Sequence, residues 1–311
     1  METIEINNFN HLSNGENLGQ IAALAQVENG IVYEILSENS DLEYIDFLNL
    51  TRAVEVLAEF FDVNTVSVSN NNLLCSVALG SSIEDAFQKA MESEPLALIG
   101  GTVGFSKEVT SDVVKLLKSM NVKNIIAPSY SKGALNSLLE FTQINVIQIK
   151  SPLQELLGFI TKDIKVTPFG YLVQEQNFSK LTKQNFKVAG KVKPTQQQAE
   201  DAIFAWKVAK YAKSNSVVIA KDLSTKAIVQ GAANNITCAE QAMDIACENP
   251  KDAVMAVDSL IENEEVINAA IQGRIGLIIE AGNGFNSKSI VKLADKYELS
   301  IIHTGVRNYR Y

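Results

Sequence analysis

The chain has 311 residues, of which 46% are hydrophobic and 20% charged, with 6 Pro and 17 Gly. This composition is typical of a compact globular protein, and it excludes a disordered or collagen-like chain. The formal net charge is −9, whereas phosphate backbones require a basic surface, so we expect no nucleic-acid partner. The length predicts two domains, each large enough for its own core.

The first residues, METIEINNFN, have neither the basic start nor the apolar stretch of a signal peptide. No apolar run approaches the roughly 20 residues that cross a bilayer, so we expect a cytoplasmic protein without a membrane partner. Cys75, Cys238 and Cys247 are odd in number and have no C-x-x-C spacing. This pattern is typical of a reducing compartment and excludes a disulfide framework.

The first half alternates helices and strands. Apolar residues at helical spacing predict a helix over Leu50–Phe61, and Thr65–Ser69 alternates as a strand does. The predicted elements that follow are a helix from a Ser81–Glu84 capping box to Met91, strand Leu96–Gly100, a helix from Thr110, strand Asn124–Pro128, helix Lys132–Phe141 and strand Ile144–Ile149. Short apolar strands between amphipathic helices predict an α/β fold whose sheet is mainly parallel.

After Lys150 the alternation stops for about 45 residues, in which only Tyr171–Gln174 and Asn185–Val188 have strand character. A capping box of Thr195 and Gln198 then predicts a helix to about Ala212. The elements predicted next are strand Ser216–Lys221, helix Cys238–Glu248, strand Ala253–Val257, helix Glu264–Gln272, strand Gly276–Glu280, helix Ser287–Lys296 and strand Ser300–Gly305.

This second series repeats the order of the first, which predicts two copies of one α/β unit. We therefore predict one unit over residues 1–160, a connecting segment over 161–194 and a second unit over 195–311.

Common catalytic motifs are missing from the sequence. Neither the G-x-x-x-x-G-K-[ST] loop of nucleotide-binding enzymes nor the G-x-S-x-G motif of hydrolases occurs. Gly282-Asn283-Gly284 lies between a strand and a helix, where backbone N–H groups can hold a phosphate, but an ordinary turn is the favoured interpretation. His11 and His303 have no ligand at metal spacing, so we predict no metal site and a structural His303.

Two charged segments allow a structural and a functional interpretation. Glu262, Glu264 and Glu265 begin a helix, where the helix dipole favours carboxylates, so capping is favoured over acid–base catalysis. The chain ends in Arg307–Tyr311, with two cations and two tyrosines close to a buried strand. These aromatic side chains favour docking on the protein body over a frayed tail.

The string FAWKVAKYAKSNSVVIAKD, Phe204–Asp222, resembles the formyltransferase half of the bifunctional purine-biosynthesis enzymes that formylate aminoimidazole-carboxamide ribonucleotide (AICAR). The likeness extends over nearly the whole chain, and nothing in it corresponds to the cyclohydrolase half. Further similar strings are GENLGQIAAL, IIAPSYSKGAL, GYLVQEQ, AVMAVDS and the ending HTGVRNYRY.

The resemblance implies a fold, a cofactor and a partner. The family's transformylase region is a tandem pair of cytidine-deaminase-like α/β/α units without zinc. Its formyl donor is formyl-tetrahydrofolate, and its active sites lie across a two-fold interface, so the resemblance implies a homodimer and a nucleotide or folate ligand.

The residues that do chemistry in the family are replaced here. Its Lys-His pair aligns with Asn70 and Asn71, and an amide neither takes nor gives a proton near neutral pH. Its catalytic-loop aspartate is at best Glu265, and its final histidine is Tyr311. Other changed positions, which the resemblance assigns to nucleotide and substrate contacts, are Ser13, Asn14, Leu18, Gly19, Ile99 and Asn235. Of these, Ser13 and Asn235 each replace an arginine of the family.

Scaffold and ligand-contact positions match better. The resemblance implies ligand binding by Asn215, Lys221, Gly282, Arg307 and Tyr309. Three functions stay open: a pseudoenzyme or repurposed relative, an active formyltransferase with a rebuilt site, or a different enzyme. The first is favoured because one positioned base is worth about 10²–10⁴-fold in rate. For the third, the candidates for proton transfer are Glu265, Lys221 and Asp222.

Overall fold

A computed structural model of the chain describes residues 7–27, 30–38, 40–159, 161–246 and 250–311. The strands are β1 (Asn7–Leu12), β2 (Ala22–Gln26), β3 (Tyr33–Ile35), β4 (Asn64–Asn70), β5 (Leu73–Gly80), β6 (Thr102–Phe105), β7 (Asn124–Ala127), β8 (Asn145–Ile149), β9 (Lys162–Thr167), β10 (Gly170–Glu175), β11 (Lys187–Val188), β12 (Ser216–Lys221), β13 (Ser224–Gln230), β14 (Val254–Val257), β15 (Leu277–Glu280) and β16 (Ser300–His303).

The α-helices are α1 (Tyr44–Glu59), α2 (Ile83–Ser93), α3 (Ser111–Leu117), α4 (Lys132–Leu139), α5 (Leu156–Phe159), α6 (Gln196–Ala209), α7 (Asn235–Ala246), α8 (Glu264–Gln272) and α9 (Ser287–Lys296). The bounds of α8 and α9 are those predicted. The predicted end of the α7 helix, at Glu248, lies outside the described residues, as does Cys247. The capping box of Thr195 and Gln198 is present and begins α6.

The strand predicted at Leu96–Gly100 is wrong. Pro95–Leu98 forms a short 3-10 helix, and the strand begins after it, at Thr102. Gly100 has a φ of 69°, and its N–H donates to the Asn121 carbonyl at 2.7 Å, so the chain turns there. A short apolar run does not distinguish a buried strand from a buried turn, and this is why the prediction failed.

The predicted Ser81–Glu84 capping box is shifted by one residue. The Ser82 hydroxyl accepts from the N–H of Asp85, and the Asp85 carboxylate accepts from the N–H of Ser81. The Glu84 carboxylate instead accepts from the Thr110 hydroxyl, which lowers the pKa of Glu84.

Two long strands, β5 and β13, were not predicted. Each follows a turn of only two residues, Asn71-Asn72 after β4 and Asp222-Leu223 after β12. All four turn residues have φ between 52° and 59°, as a type I′ hairpin turn requires. The usual glycine of such a turn is missing at both sites, so the sequence did not reveal these hairpins.

Backbone contacts divide the chain into two compact units. Unit 1 contains the described residues up to Leu73, together with Gly80–Gln88 and Pro95–Asn177. Unit 2 contains Leu74–Leu79, Lys89–Glu94 and Phe178–Tyr311. Two short pieces from the first half of the sequence therefore belong to unit 2, and the predicted domain limits stay a prediction.

Unit 1 has a sheet with the strand order β4-β6-β7-β8-β3. The middle strands β6, β7 and β8 are parallel, and β4 and β3 flank them in antiparallel directions. Helix α1 covers the sheet with Ala53, Val54 and Leu57, which belong to one buried cluster with Ile126 and Ile147. Unit 1 also has two separate hairpins, β1–β2 and β9–β10.

A buried polar network lies in the same unit. The Asn124 amide donates to Asp46 at 2.8 Å and to Thr102 at 3.0 Å. Lys123 Nζ lies 2.8 Å from Asp46 and 2.6 Å from Glu43, so its cation balances both carboxylates. Hydrogen bonds from Lys123 and Asn14 lower the pKa of Glu43. The network holds the start of α1 against the sheet.

Unit 2 has the strand order β11-β16-β15-β14-β12-β13-β5. Strands β14, β15 and β16 are parallel, while β12 is antiparallel to both β13 and β14. One buried cluster joins Ile219, Met255 and Ile278 of the sheet to Ile267 and Ile290 of the helices. These units confirm the predicted α/β class, with parallel strands in the middle of each sheet. No described helix combines the length and the apolar character needed to cross a membrane.

Candidate functional site

A cleft of about 460 Å³ opens in unit 2. Because β12 and β14 are antiparallel, the residue before β12, Asn215, lies at the same edge of the sheet as the residues after β14, Ser259 and Leu260. The start of α7 and the turn before α8 add further walls, which include Asn235 and Glu262. The cleft therefore lies at one end of the strands of the unit 2 sheet.

The C-terminal segment forms the remaining wall, with Arg307 and Tyr309. It is held by backbone hydrogen bonds: the Ser214 N–H donates to the Arg310 carbonyl at 2.9 Å, and the Asn308 N–H donates to the Asp258 carbonyl at 2.8 Å. The side chain of Asn308 is buried. The tail thus docks on the protein body as predicted, but through its backbone and Asn308, whereas the two tyrosines on which the prediction rested are exposed.

Aromatic and cationic groups stack along this tail. The rings of Tyr309 and Tyr311 lie 5.5 Å apart with an interplanar angle of 30°. The Arg307 guanidinium lies 5.8 Å from the centre of the Tyr309 ring. Since Tyr309 is 41% exposed and lines the cleft, it offers a planar surface to a ligand.

The asparagines of the cleft hold its walls together. The Asn235 amide donates to the Ser259 hydroxyl at 2.8 Å, and the Asn215 amide donates to the Ala232 carbonyl at 3.0 Å. Asn263 caps α8 by accepting from the Glu265 N–H at 2.9 Å. An amide at position 235 therefore fastens a loop, and it adds no charge to the cleft.

Beneath the cleft lies a buried carboxyl group that the sequence analysis did not single out. Asp258 is fully buried, and it accepts a hydrogen bond from the Ser214 hydroxyl at 2.6 Å. Burial raises the pKa of Asp258 by desolvation. The nearby Cys238 thiol donates to the Asn215 carbonyl, and burial raises the pKa of Cys238 to about 11. This thiol is therefore protonated at neutral pH and is no nucleophile.

His303 and Gly282 form a packed structural pair. His303 Nε2 lies 2.8 Å from Glu280 Oε1, although without the geometry of a hydrogen bond. Gly282 has a φ of 77°, and a Cβ there would lie 2.5 Å from the His303 ring. Both the backbone conformation and the contact with the ring require glycine at this position.

Lys221 and Asp222 lie at the opposite end of β12 from Asn215. Lys221 Nζ donates to the Lys251 carbonyl at 2.9 Å, and Asp222 is part of the hairpin turn. Glu265 lies in the exposed first turn of α8, where it accepts from the Asn268 amide. These three candidates for proton transfer are therefore not gathered in the cleft. Among the residues that the structure describes, no group of three His, Cys, Asp or Glu side chains forms a metal site.

Asn70 and Asn71 lie in unit 1, at the end of β4 and in the turn after it. The Asn70 amide donates to the carbonyls of Ala97 and Ile99, at 3.1 and 3.0 Å, and so holds the turn before β6. Asn71 has a φ of 52°, a conformation that asparagine adopts more readily than most residues. Asparagine therefore has a structural role at each of these two positions.

Comparison with known proteins shows the family of the chain. The model of the family described as AICARFT/IMPCHase bienzyme matches residues 1–245. This chain belongs to that family. Three relatives are named as the bifunctional purine biosynthesis protein PurH: those of Caldicellulosiruptor bescii, Fusobacterium nucleatum and Dictyostelium discoideum, with 32%, 33% and 30% identity over 99%, 99% and 96% of this chain. The chain spans 60%, 60% and 57% of their lengths.

Among the family positions assigned to ligand contacts, the structure brings Asn215, Arg307 and Tyr309 together at the cleft. It does not bring Lys221 or Gly282 into the lining, and their binding role stays a prediction. The sequence analysis missed Asp258, whose only signal was its place in the similar string AVMAVDS.

Proposed function

We propose that this AICARFT/IMPCHase family member binds a small planar ligand in its unit 2 cleft and does not transfer a formyl group to AICAR. The observation that carries the proposal is the structural use of Asn70 and Asn71. One amide holds the turn before β6, and the other occupies a left-handed hairpin turn.

The AICAR amine is a weak nucleophile because it is conjugated with a ring that bears a carboxamide. Its attack on a formyl group therefore requires a base for the departing proton. The side chains of Asn70 and Asn71 carry no group that takes up this proton. The buried Asp258 supplies no substitute, since its carboxylate has no solvent-accessible surface and accepts from Ser214.

The charges of the cleft favour an uncharged ligand. The charged residues that line it are Arg307 and Glu262, whose formal charges cancel. A phosphate group is normally held by several charge-assisted hydrogen bonds, often from paired arginines. Side-chain amides and the Tyr309 ring instead suit a planar heterocycle with hydrogen-bonding edges, such as a nucleobase or a nucleoside.

The test of the chemistry is turnover. We expect purified protein with AICAR and formyl-tetrahydrofolate to form no product above the uncatalysed level. The double variant Asn70→Lys with Asn71→His is expected to recover little activity, because a base helps only when the substrate is held within about 3 Å of it. Saturable, folate-dependent formylation by the unmodified protein would overturn the proposal.

The test of the ligand class is calorimetric titration with AICAR and with the same nucleoside lacking its phosphate. We expect the nucleoside to bind at least as tightly as the nucleotide. Asn235→Arg is expected to raise the affinity for the nucleotide about tenfold, the effect of one charge-assisted contact. The control Asn268→Arg adds the same charge outside the cleft lining and should change little. A clear preference of the unmodified protein for the nucleotide would contradict this ligand class.

A second pair of variants tests the aromatic surface. Tyr309→Ala removes the ring that lines the cleft and is expected to weaken nucleoside binding. Tyr297→Ala removes a tyrosine of similar exposure, 50%, that lies outside the lining. Equal effects of the two substitutions would show that Tyr309 does not contact the ligand.

A further inference from the structure

Two charged side chains of the unit 2 cleft have no charged partner. Glu262 and Arg307 both line the cleft, one on the turn before α8 and the other on the C-terminal tail. Within the described part of the chain, neither side chain forms an ion pair or a hydrogen bond. The cleft therefore offers one free carboxylate and one free guanidinium to a ligand.

The backbone that carries the Glu262 carboxylate is fixed on both sides. The N–H of Ile261 donates to Glu280 at 3.1 Å, and the carbonyl of Glu262 accepts from the Asn286 amide at 2.7 Å. Asn263 in turn caps α8. Because the backbone is held at three successive residues, a ligand that binds there orders little of the chain.

The Arg307 guanidinium is held by its neighbours in the tail. The Asn308 N–H donates to the Asp258 carbonyl at 2.8 Å, and the Asn308 side chain is buried. The guanidinium lies 5.8 Å from the centre of the Tyr309 ring, a distance at which a cation and an aromatic face attract each other. A guanidinium only donates hydrogen bonds and a carboxylate only accepts them. The cleft therefore suits a planar ligand with acceptors on one edge and donors on another.

We propose that the ligand of this cleft is the guanine base of a nucleoside, an inference that rests on the proposed function. The Glu262 carboxylate accepts from the N1–H and the 2-amino group, which are neighbouring donors on one edge of guanine. Arg307 donates to O6 and N7, the pair of acceptors through which arginine commonly contacts guanine. The base stacks on the exposed ring of Tyr309.

Other purine bases match these two groups less well. Hypoxanthine has no 2-amino group, so the carboxylate of Glu262 keeps one donor in place of two. Adenine has an acceptor at N1, where the carboxylate requires a donor, and its 6-amino group donates where Arg307 requires an acceptor. A site with fixed polar groups rejects a ligand that leaves those groups unpaired.

The test is calorimetric titration with guanosine, inosine and adenosine. We expect guanosine to bind at least about tenfold more tightly than inosine, the effect of one hydrogen bond to a charged group, and more tightly still than adenosine. Glu262→Gln leaves a single acceptor oxygen and no charge, so it should remove most of the preference for guanosine over inosine. Glu264→Gln is the matched control, since Glu264 is exposed and lies outside the cleft lining.

A further ligand tests the contact with Arg307. In 7-deazaguanosine a carbon replaces the N7 acceptor, and we expect this compound to bind less tightly than guanosine while it still depends on Glu262. Thermal unfolding shows whether each variant is folded, and the comparison of nucleosides on the unmodified protein carries the test if Glu262→Gln does not fold.

The outcomes separate this inference from the proposed function. Equal binding of guanosine and inosine, or equal effects of Glu262→Gln and Glu264→Gln, would overturn the inference alone, provided that binding still depends on Tyr309. Failure of every nucleoside to bind would overturn the proposed function together with the inference.

Discussion

The turn after β4 in unit 1 and the turn after β12 in unit 2 share one backbone geometry but are held by different chemistry. In unit 1 the N–H of Asn72 donates to the Asn49 side chain of α1 at 2.8 Å. In unit 2 the N–H groups of Asp222 and Leu223 donate to the Asp201 carboxylate of α6, at 3.1 and 2.7 Å. In each unit, a helix that precedes the hairpin anchors its turn.

The difference lies in how well each turn sequence suits its conformation. Asparagine tolerates the left-handed region, because its short polar side chain forms local hydrogen bonds. Leu223 has no such compensation at a φ of 56°. We infer that the unit 2 turn depends on its carboxylate anchor, whereas the unit 1 turn is partly determined by its own residues.

Asp201→Ala should have the largest effect among changes at the two turns. It removes an ionisable acceptor shared by two backbone N–H groups, and we expect a loss of about 2–3 kcal/mol in the free energy of unfolding. Asn49→Ala removes one neutral acceptor and should cost about 1 kcal/mol. Urea unfolding followed by circular dichroism measures both. An Asn49→Ala cost equal to or above that of Asp201→Ala would contradict the comparison.

Exchanging residues between the two turns should change the free energy of unfolding by less than Asp201→Ala does, and the two exchanges should act in opposite directions. Leu223→Asn is expected to stabilise the protein by about 0.5–1 kcal/mol, because it relieves the left-handed cost of a branched side chain. Asn72→Leu adds that cost and loses the hydrogen bond from Arg52, so it should destabilise by about 1–2 kcal/mol. Leu223→Ala is the control for lost apolar contact, and a gain from alanine equal to that from asparagine would argue against the explanation.

The smallest expected effect concerns how the stability of the protein changes with pH. The partly exposed Glu43 of unit 1 should contribute less than about 1 kcal/mol to the free energy of unfolding. In the folded protein the pKa of Glu43 is lowered from 4.5. The ionised Glu43 therefore stabilises the folded protein above that value, and this stabilisation is lost as the pH falls through the pKa in the folded state. In the folded protein the pKa of Asp258, in unit 2, is raised from 3.8. The protonated Asp258 therefore stabilises the folded protein below that value, and this stabilisation is lost as the pH rises through the pKa in the folded state.

Thermal unfolding between pH 3 and 8 checks this contrast. Glu43→Gln should flatten the acid side of the profile, and Asp258→Asn should flatten the side above about pH 4, where burial opposes ionisation. Identical pH profiles for the two variants would show that the two carboxyl groups do not differ in this way.

Sequence patterns predicted most elements of the second half of the chain, although they missed β13. Helices α8 and α9 have the predicted bounds because their apolar residues recur with helical spacing between clear turns. The Thr195–Gln198 capping box is a local signal, and it marks the start of α6 correctly. In the first half, the Leu96–Gly100 strand failed because its apolar residues fit a turn equally well.

The candidate site was only partly predictable. Resemblance selected Asn215, Arg307 and Tyr309, which line one cleft although Asn215 lies 92 residues before Arg307 in the sequence. Asp258 was missed, since nothing in a single aspartate shows that it will be buried beside Ser214. Only the structure shows that the Asn70 side chain holds the turn before β6 and that Asn71 lies in the hairpin turn after β4.

The sequence by itself determined the α/β class and most of the alternation of elements, because helical and strand periodicity and capping residues act over a few neighbouring positions. The family followed from the resemblance of whole strings, above all Phe204–Asp222. Only the tertiary structure decided which distant residues meet. Asp201 anchors the Asp222-Leu223 turn, and the C-terminal tail closes a cleft that opens at Asn215. Hydrogen bonds between distant elements depend on how the chain packs, and that packing leaves no periodic pattern in the sequence.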